Sequence, residues 1–153
     1  MAGCVGYQLG PVRRPEYRSV AVPMFKNRTL RPQLEAQLTN AVIKRLQTDG
    51  TLAVRSADDA DVIVRGEIVD YERATIRGDL LDTTVPRELR LTVRVRVEAY
   101  DRVTGAAVLP STVVSGTADT FVGTDQQSAE RQALPLIADD LAKKLVGLLT
   151  EAW

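Results

Sequence analysis

Arg87-Glu88-Leu89-Arg90-Leu91-Thr92-Val93-Arg94-Val95-Arg96-Val97-Glu98-Ala99-Tyr100 alternates apolar and polar side chains with period two. Leu89, Leu91, Val93, Val95, Val97 and Ala99 take one side, and Arg90, Thr92, Arg94, Arg96, Glu98 and Tyr100 take the other. Successive side chains of a strand point to opposite faces, so this stretch predicts an antiparallel strand with one face buried and one wet. A sheet built around it must have a covered side and an open side.

Downstream, Asp101-Arg102-Val103-Thr104-Gly105 has the length and composition of a hairpin connection. Ala106 to Phe121 continues as a strand in which Pro110 implies a bulge or an edge. Thr124-Asp125-Gln126-Gln127 has capping-box spacing, with Thr124 as the cap. A helix follows to about Thr150, with Leu134, Ile137, Ala138, Leu141, Leu145 and Leu148 as its apolar stripe. Pro135 either kinks that helix or marks where its regular part begins.

Upstream, Asp61 to Ala74 reads as a long strand. Val62, Val64 and Ile68 share one parity, and Ile63, Arg65, Glu67, Val69 and Tyr71 share the other. Ile76 to Pro86 is a loop, Ser56-Ala57-Asp58-Asp59 a turn, and Leu52-Ala53-Val54 a short strand. Leu34, Leu38, Val42 and Leu46 recur every four residues, the apolar face of an amphipathic helix. Pro32 suits its first turn, Glu35 lies near the positive end of its dipole, and Asp49-Gly50 stops it. Phe25 to Thr29 connects it to Ser19-Val20-Ala21-Val22, a short buried strand ended by Pro23. Asn27 is expected to hold that turn and Thr29 to cap the helix.

The predicted order is β-α-β-β-β-β-α. Each helix has one apolar stripe and each long strand one apolar face. An α+β two-layer sandwich with both helices on one side of a small mixed sheet satisfies all of them. Residues 19–153 then form one domain behind an extended lead-in, residues 1–18. The uncovered sheet face is left polar and arginine-rich.

The chain of 153 residues is 44% hydrophobic and 26% charged, enough for a real core and too apolar for disorder. Twenty basic side chains balance twenty acidic ones, which argues against a nucleic-acid binder. No apolar run reaches the length of a membrane-spanning helix. The absence of histidine removes Ser-His-Asp and Cys-His catalysis and the common zinc sites. No phosphate loop or metal-ligand spacing occurs, and the acidic clusters at Asp58-Asp59-Asp61, Asp79-Asp82 and Asp139-Asp140 lack the calcium-loop pattern. No catalytic residues, metal or cofactor are expected, and the chain points to binding, anchoring or assembly.

Two features carry chemistry. Sixteen of the twenty basic residues are arginine, the side chain that grips carboxylate and phosphate bidentately. Arg90, Arg94 and Arg96 project from one strand face, with alternate side chains about 7 Å apart. They either pair across strands with Glu67, Glu72 or Glu98, or form a face for an anion or an acidic partner. The second feature is Met1-Ala2-Gly3-Cys4. Its single cysteine is an incidental thiol, a reactive one, or the tail of a lipobox in which Cys4 carries acyl chains.

Val20-Ala21-Val22-Pro23-Met24-Phe25-Lys26-Asn27-Arg28-Thr29, followed by Arg31-Pro32-Gln33-Leu34-Glu35, forms one recognisable block. Ala60-Asp61-Val62-Ile63-Val64-Arg65-Gly66-Glu67-Ile68 and Leu91-Thr92-Val93-Arg94-Val95 are two more. With Ala2-Gly3-Cys4 and Gly6-Tyr7-Gln8-Leu9 they resemble the lipopolysaccharide-assembly lipoprotein family, LptE (also RlpB), over nearly the whole chain. The strand-Asn-x-Thr-helix unit is shared with other envelope lipoproteins, including activators of peptidoglycan synthases and curli-secretion components. The family resemblance implies two helices on one side of a mixed sheet. It implies a palmitate-type anchor on Cys4, holding the protein at the periplasmic face of a Gram-negative outer membrane. It implies that the protein plugs and helps assemble the β-barrel LptD and assists lipopolysaccharide insertion. Arg90, Arg94 and Arg96 are the candidate contacts.

Overall fold

A computed structural model describes residues 17–78 and 87–152. Cys4, residues 79–86 and Trp153 lie outside the described residues. The elements are β1 (Ser19–Ala21), β2 (Lys26–Asn27), α1 (Leu34–Asp49), β3 (Ala53–Val54), β4 (Val62–Arg77), β5 (Arg87–Asp101), β6 (Ala107–Val122) and α2 (Gln126–Glu151). The sheet order is β3-β1-β4-β5-β6, with β2 paired to β4. β1 runs parallel to β3 and β4, and β2 parallel to β4. β4, β5 and β6 form an antiparallel meander. The α+β sandwich expected from the sequence is the one found. β2 is an addition, since two residues leave no periodicity to read.

One core fills the space between the layers. Leu38, Val42 and Leu46 of α1 and Ile137, Leu141, Leu145 and Leu149 of α2 close on Val64 and Ile68 of β4 and Leu91, Val93, Val95 and Val97 of β5. Two glycines permit the close approaches. A Cβ on Gly116 of β6 would lie 2.6 Å from Leu141 Cγ and 3.1 Å from the Ile137 carbonyl oxygen of α2. A Cβ on Gly66 of β4 would collide with the ring of Phe25, which is buried in its place.

Two of the strand irregularities redirect the side chains around them. Val97 pairs with Thr112 and Ala99 with Leu109, so β6 bulges around Pro110, as its missing N–H requires. On β4, Ile68 pairs with Val95 but Asp70 with Arg94, leaving Val69 as an extra residue. That bulge reverses the parity from Asp70 to Thr75, until a second shift before Arg77 restores it. Tyr71 therefore joins the core side instead of lying with Arg65 and Glu67, and Asp70 and Glu72 pass to the open side.

Three helix-end expectations shift. α1 begins at Leu34, after Pro32, with Gln33 as its cap at φ 70° and no side-chain cap. Thr29 does not cap it, because its hydroxyl accepts from Arg31 N at 3.3 Å. α2 is capped by Asp125 rather than Thr124, its carboxylate accepting from Gln127 N at 3.0 Å. An ionised acceptor two residues upstream suits the positive helix end better than a hydroxyl one residue further back. α2 runs through Pro135, whose exposed position leaves the carbonyl of Arg131 to solvent. Gly50 ends α1 at φ 74°, its N–H donating to Leu46 O at 3.0 Å.

Candidate functional site

The open face of β4, β5 and β6 carries the arginine row. Arg90 binds Asp119 of β6 bidentately, Nε to Oδ1 at 2.9 Å and Nη2 to Oδ2 at 3.0 Å. The pairing holds the Asp119 carboxyl below its ordinary range, chiefly through the hydrogen bond from Arg90. Arg94 reaches Asp70 and Glu72 together, the latter at 3.2 Å. Arg96 lies 3.5 Å from Glu67, whose carboxylate is also held by Arg28 Nε at 2.7 Å. Each arginine of the row is thus matched by a carboxylate on a neighbouring strand. Two of the partners, Asp70 and Asp119, differ from those the sequence suggested. Asp70 enters through the Val69 bulge, and Asp119 through the β5–β6 register. Their side chains remain 39–52% exposed, so outward N–H groups still reach solvent.

Toward one end of this face the strands border a groove of about 750 Å³. Ile63, Tyr100, Arg65 and Glu98 contribute from β4 and β5, Lys26 from β2, and Pro23 and Met24 from the β1–β2 connection. The Arg65 guanidinium stacks over the Tyr100 ring, 4.7 Å from its centroid. Arg102 stands beside them, its Nε donating to Ala60 O at 2.7 Å.

The helix side holds a polar cluster absent from the sequence reading. Glu130 of α2 is 1% exposed. Its Oε2 accepts from Arg31 Nη1 at 2.9 Å and Tyr71 OH at 2.8 Å. Its Oε1 accepts from Arg73 Nη1 at 3.0 Å and Gln126 Nε2 at 3.0 Å. Burial pushes this carboxyl up, but the hydrogen bonds from Gln126, Tyr71 and Arg73 outweigh it, and the acid is held below its usual range. Burial, with the hydrogen bond to Glu130, drives the Tyr71 phenol well above its ordinary value. One signal was available in the sequence: Glu130 lies in helical register with Leu134, Ile137 and Leu141, inside the apolar stripe.

Asp61, Asp101 and Asn27 serve local structure. Asp61 Oδ2 accepts from the N–H groups of Arg18 and Ser19 at 2.9 and 3.1 Å, fixing the start of β1. Asp101 Oδ1 accepts from Val103 and Thr104 N, closing the hairpin. Asn27 organises the turn before α1, its Oδ1 accepting from Thr29 N and its Nδ2 donating to Arg31 O and Glu35 Oε2.

Two helices on one side of a mixed sheet is an architecture shared with several solved bacterial structures. A minor lipoprotein of Acinetobacter baumannii superposes with TM-score 0.58 at 15% identity, over 84% of this chain and 89% of its own. A protein of Xanthomonas campestris gives TM-score 0.64 at 13% identity, over 91% and 90%. A hypothetical protein of Chlamydia trachomatis gives 0.59 at 13%, over 86% and 94%. At these identities the likeness is one of fold. No curated protein sequence matches significantly. The family model for lipopolysaccharide assembly, LptE, matches residues 17–147, and the chain belongs to that lipoprotein family of the cell envelope.

Proposed function

We propose that this protein is a non-catalytic outer-membrane lipoprotein that plugs and helps assemble an LptD-type β-barrel and assists lipopolysaccharide insertion into the outer leaflet. The family match over residues 17–147 carries the reading. The layout supports it. Most apolar surface is buried between the layers, and the open face carries a charge ladder suited to a wet barrel lumen, with Val113 and Phe121 exposed beside it. Acylated Cys4 tethers the domain at the periplasmic face of the membrane, several acyl chains holding where one does not. Arg90, Arg94 and Arg96 keep outward N–H groups with which to meet lipopolysaccharide phosphates.

Detergent extraction of native membranes and affinity capture test the reading. A large β-barrel is expected at equal stoichiometry with the protein. Recovery of a peptidoglycan synthase or a secretion channel instead overturns it. Mass spectrometry of the native N-terminus tests the anchor, which requires acyl mass on Cys4. Changing Arg90, Arg94 and Arg96 together to Ala is expected to weaken lipopolysaccharide pull-down while the circular dichroism spectrum stays unchanged. Full retention of binding removes the ligand role from the row.

A further inference from the structure

We infer that the groove at the Ile63–Tyr100 end of the open face docks an acidic, extended peptide segment of a protein partner. Four cations line it against two carboxylates. One of the two, Glu67, is already shared between Arg28 and Arg96. Among the described residues, Lys26, Arg65 and Arg102 have no carboxylate within 4.0 Å, in contrast to the arginine row. Glu98 opposite Arg65 is the only counter-charge left in the groove. Cations that outnumber their counter-charges in a concave surface attract an anionic ligand.

The three cations follow the strand axis. Lys26 pairs in register with Glu67, Arg65 lies two residues back along β4, and Arg102 N binds Asp61 O four residues further back. Same-face side chains repeat about every 7 Å along a strand, so the steps from Lys26 to Arg65 and from Arg65 to Arg102 span about one and two repeats of an extended peptide with alternate carboxylates. The floor selects against a lipid. Ile63 is only 5% exposed, so the floor itself offers little apolar surface to an acyl chain. Besides charge, the groove offers the Tyr100 ring, Pro23, Ala57 and Met24, which is 59% exposed, for apolar side chains interleaved with the carboxylates. The volume falls within the roughly 300–1,000 Å³ of sites that bury a short ligand.

Fluorescence anisotropy with a labelled alternating Asp-Ala hexapeptide tests the inference, with the Asn-Ala counterpart and phosphatidylglycerol vesicles as further arms. Saturable binding is expected for the Asp peptide only, weakening as salt rises from about 0.05 to 0.3 M. Lys26→Gln with Arg65→Gln is expected to weaken it about three- to tenfold, and Lys143→Gln, exposed on α2, to leave it unchanged. Both groove residues are exposed, and an unchanged urea midpoint will show the double variant folded. The inference is overturned if the Asp peptide does not bind, if the double variant binds it equally, or if the groove cations are needed for vesicles instead.

Discussion

Glu130 and Glu67 are each held by two arginines, yet they stand on opposite sides of the same sheet. Glu130 is sealed between α2 and β4, with its side chain 2% exposed. Glu67 lies on the open face, and its partners Arg28 and Arg96 are 71% and 52% exposed. Exposed ion pairs contribute about 0–1 kcal/mol, because water solvates both charges nearly as well as they solvate each other. Removing a partner from a buried pair costs about 3–5 kcal/mol, because the survivor has lost its water. The same side-chain chemistry therefore anchors the fold on one side and leaves a re-pairable surface on the other.

The largest expected effect breaks the buried member. Glu130→Ala should lower unfolding free energy by about 2–4 kcal/mol in urea denaturation, less than a wholly sealed pair because Arg73 reaches solvent. A loss under about 1 kcal/mol would abolish the contrast. Next, Gly116→Ala forces a Cβ against Leu141 and the Ile137 carbonyl and should cost about 1–3 kcal/mol, read as a fall in thermal midpoint. Removing the α2 cap by Asp125→Ala should cost about 1 kcal/mol by the same assay. Smallest, Arg90→Gln should shift stability by under about 1 kcal/mol, and that shift should shrink in high salt.

Acid sharpens the same comparison. The native Glu130 carboxyl lies below its ordinary value, so its ionised form is favoured by folding. That contribution is complete above the ordinary glutamate value of about 4.3 and is lost as pH falls from there through the lowered native one. The stability gap between the wild type and Glu130→Gln should accordingly stay constant near neutrality and close on acidification. Chemical denaturation along a pH series reads this out, and a gap that widens in acid would contradict the buried-anion assignment.

The regular elements were legible because each long strand and helix has one dry side and one wet side, and that asymmetry imprints a period. Gly50 and Pro110 were legible too, since a positive φ and a missing N–H have few uses. The Glu130 cluster was not, because its members come from three separate segments and meet only through the Val69 bulge, which turns Tyr71 and Arg73 inward. The arginine row was visible as a row. Its partners Asp70 and Asp119 depended on a one-residue slip and on the hairpin register, which composition does not encode.

Periodicity along the chain determined by itself the two-layer architecture, the identity of the covered face and the candidate arginines, because burial of apolar side chains is read out locally residue by residue. The tertiary structure alone decided which charges neutralise one another. Ion pairing depends on distances of a few ångströms between strands far apart in sequence, and a single bulge is enough to redistribute every partner beyond it.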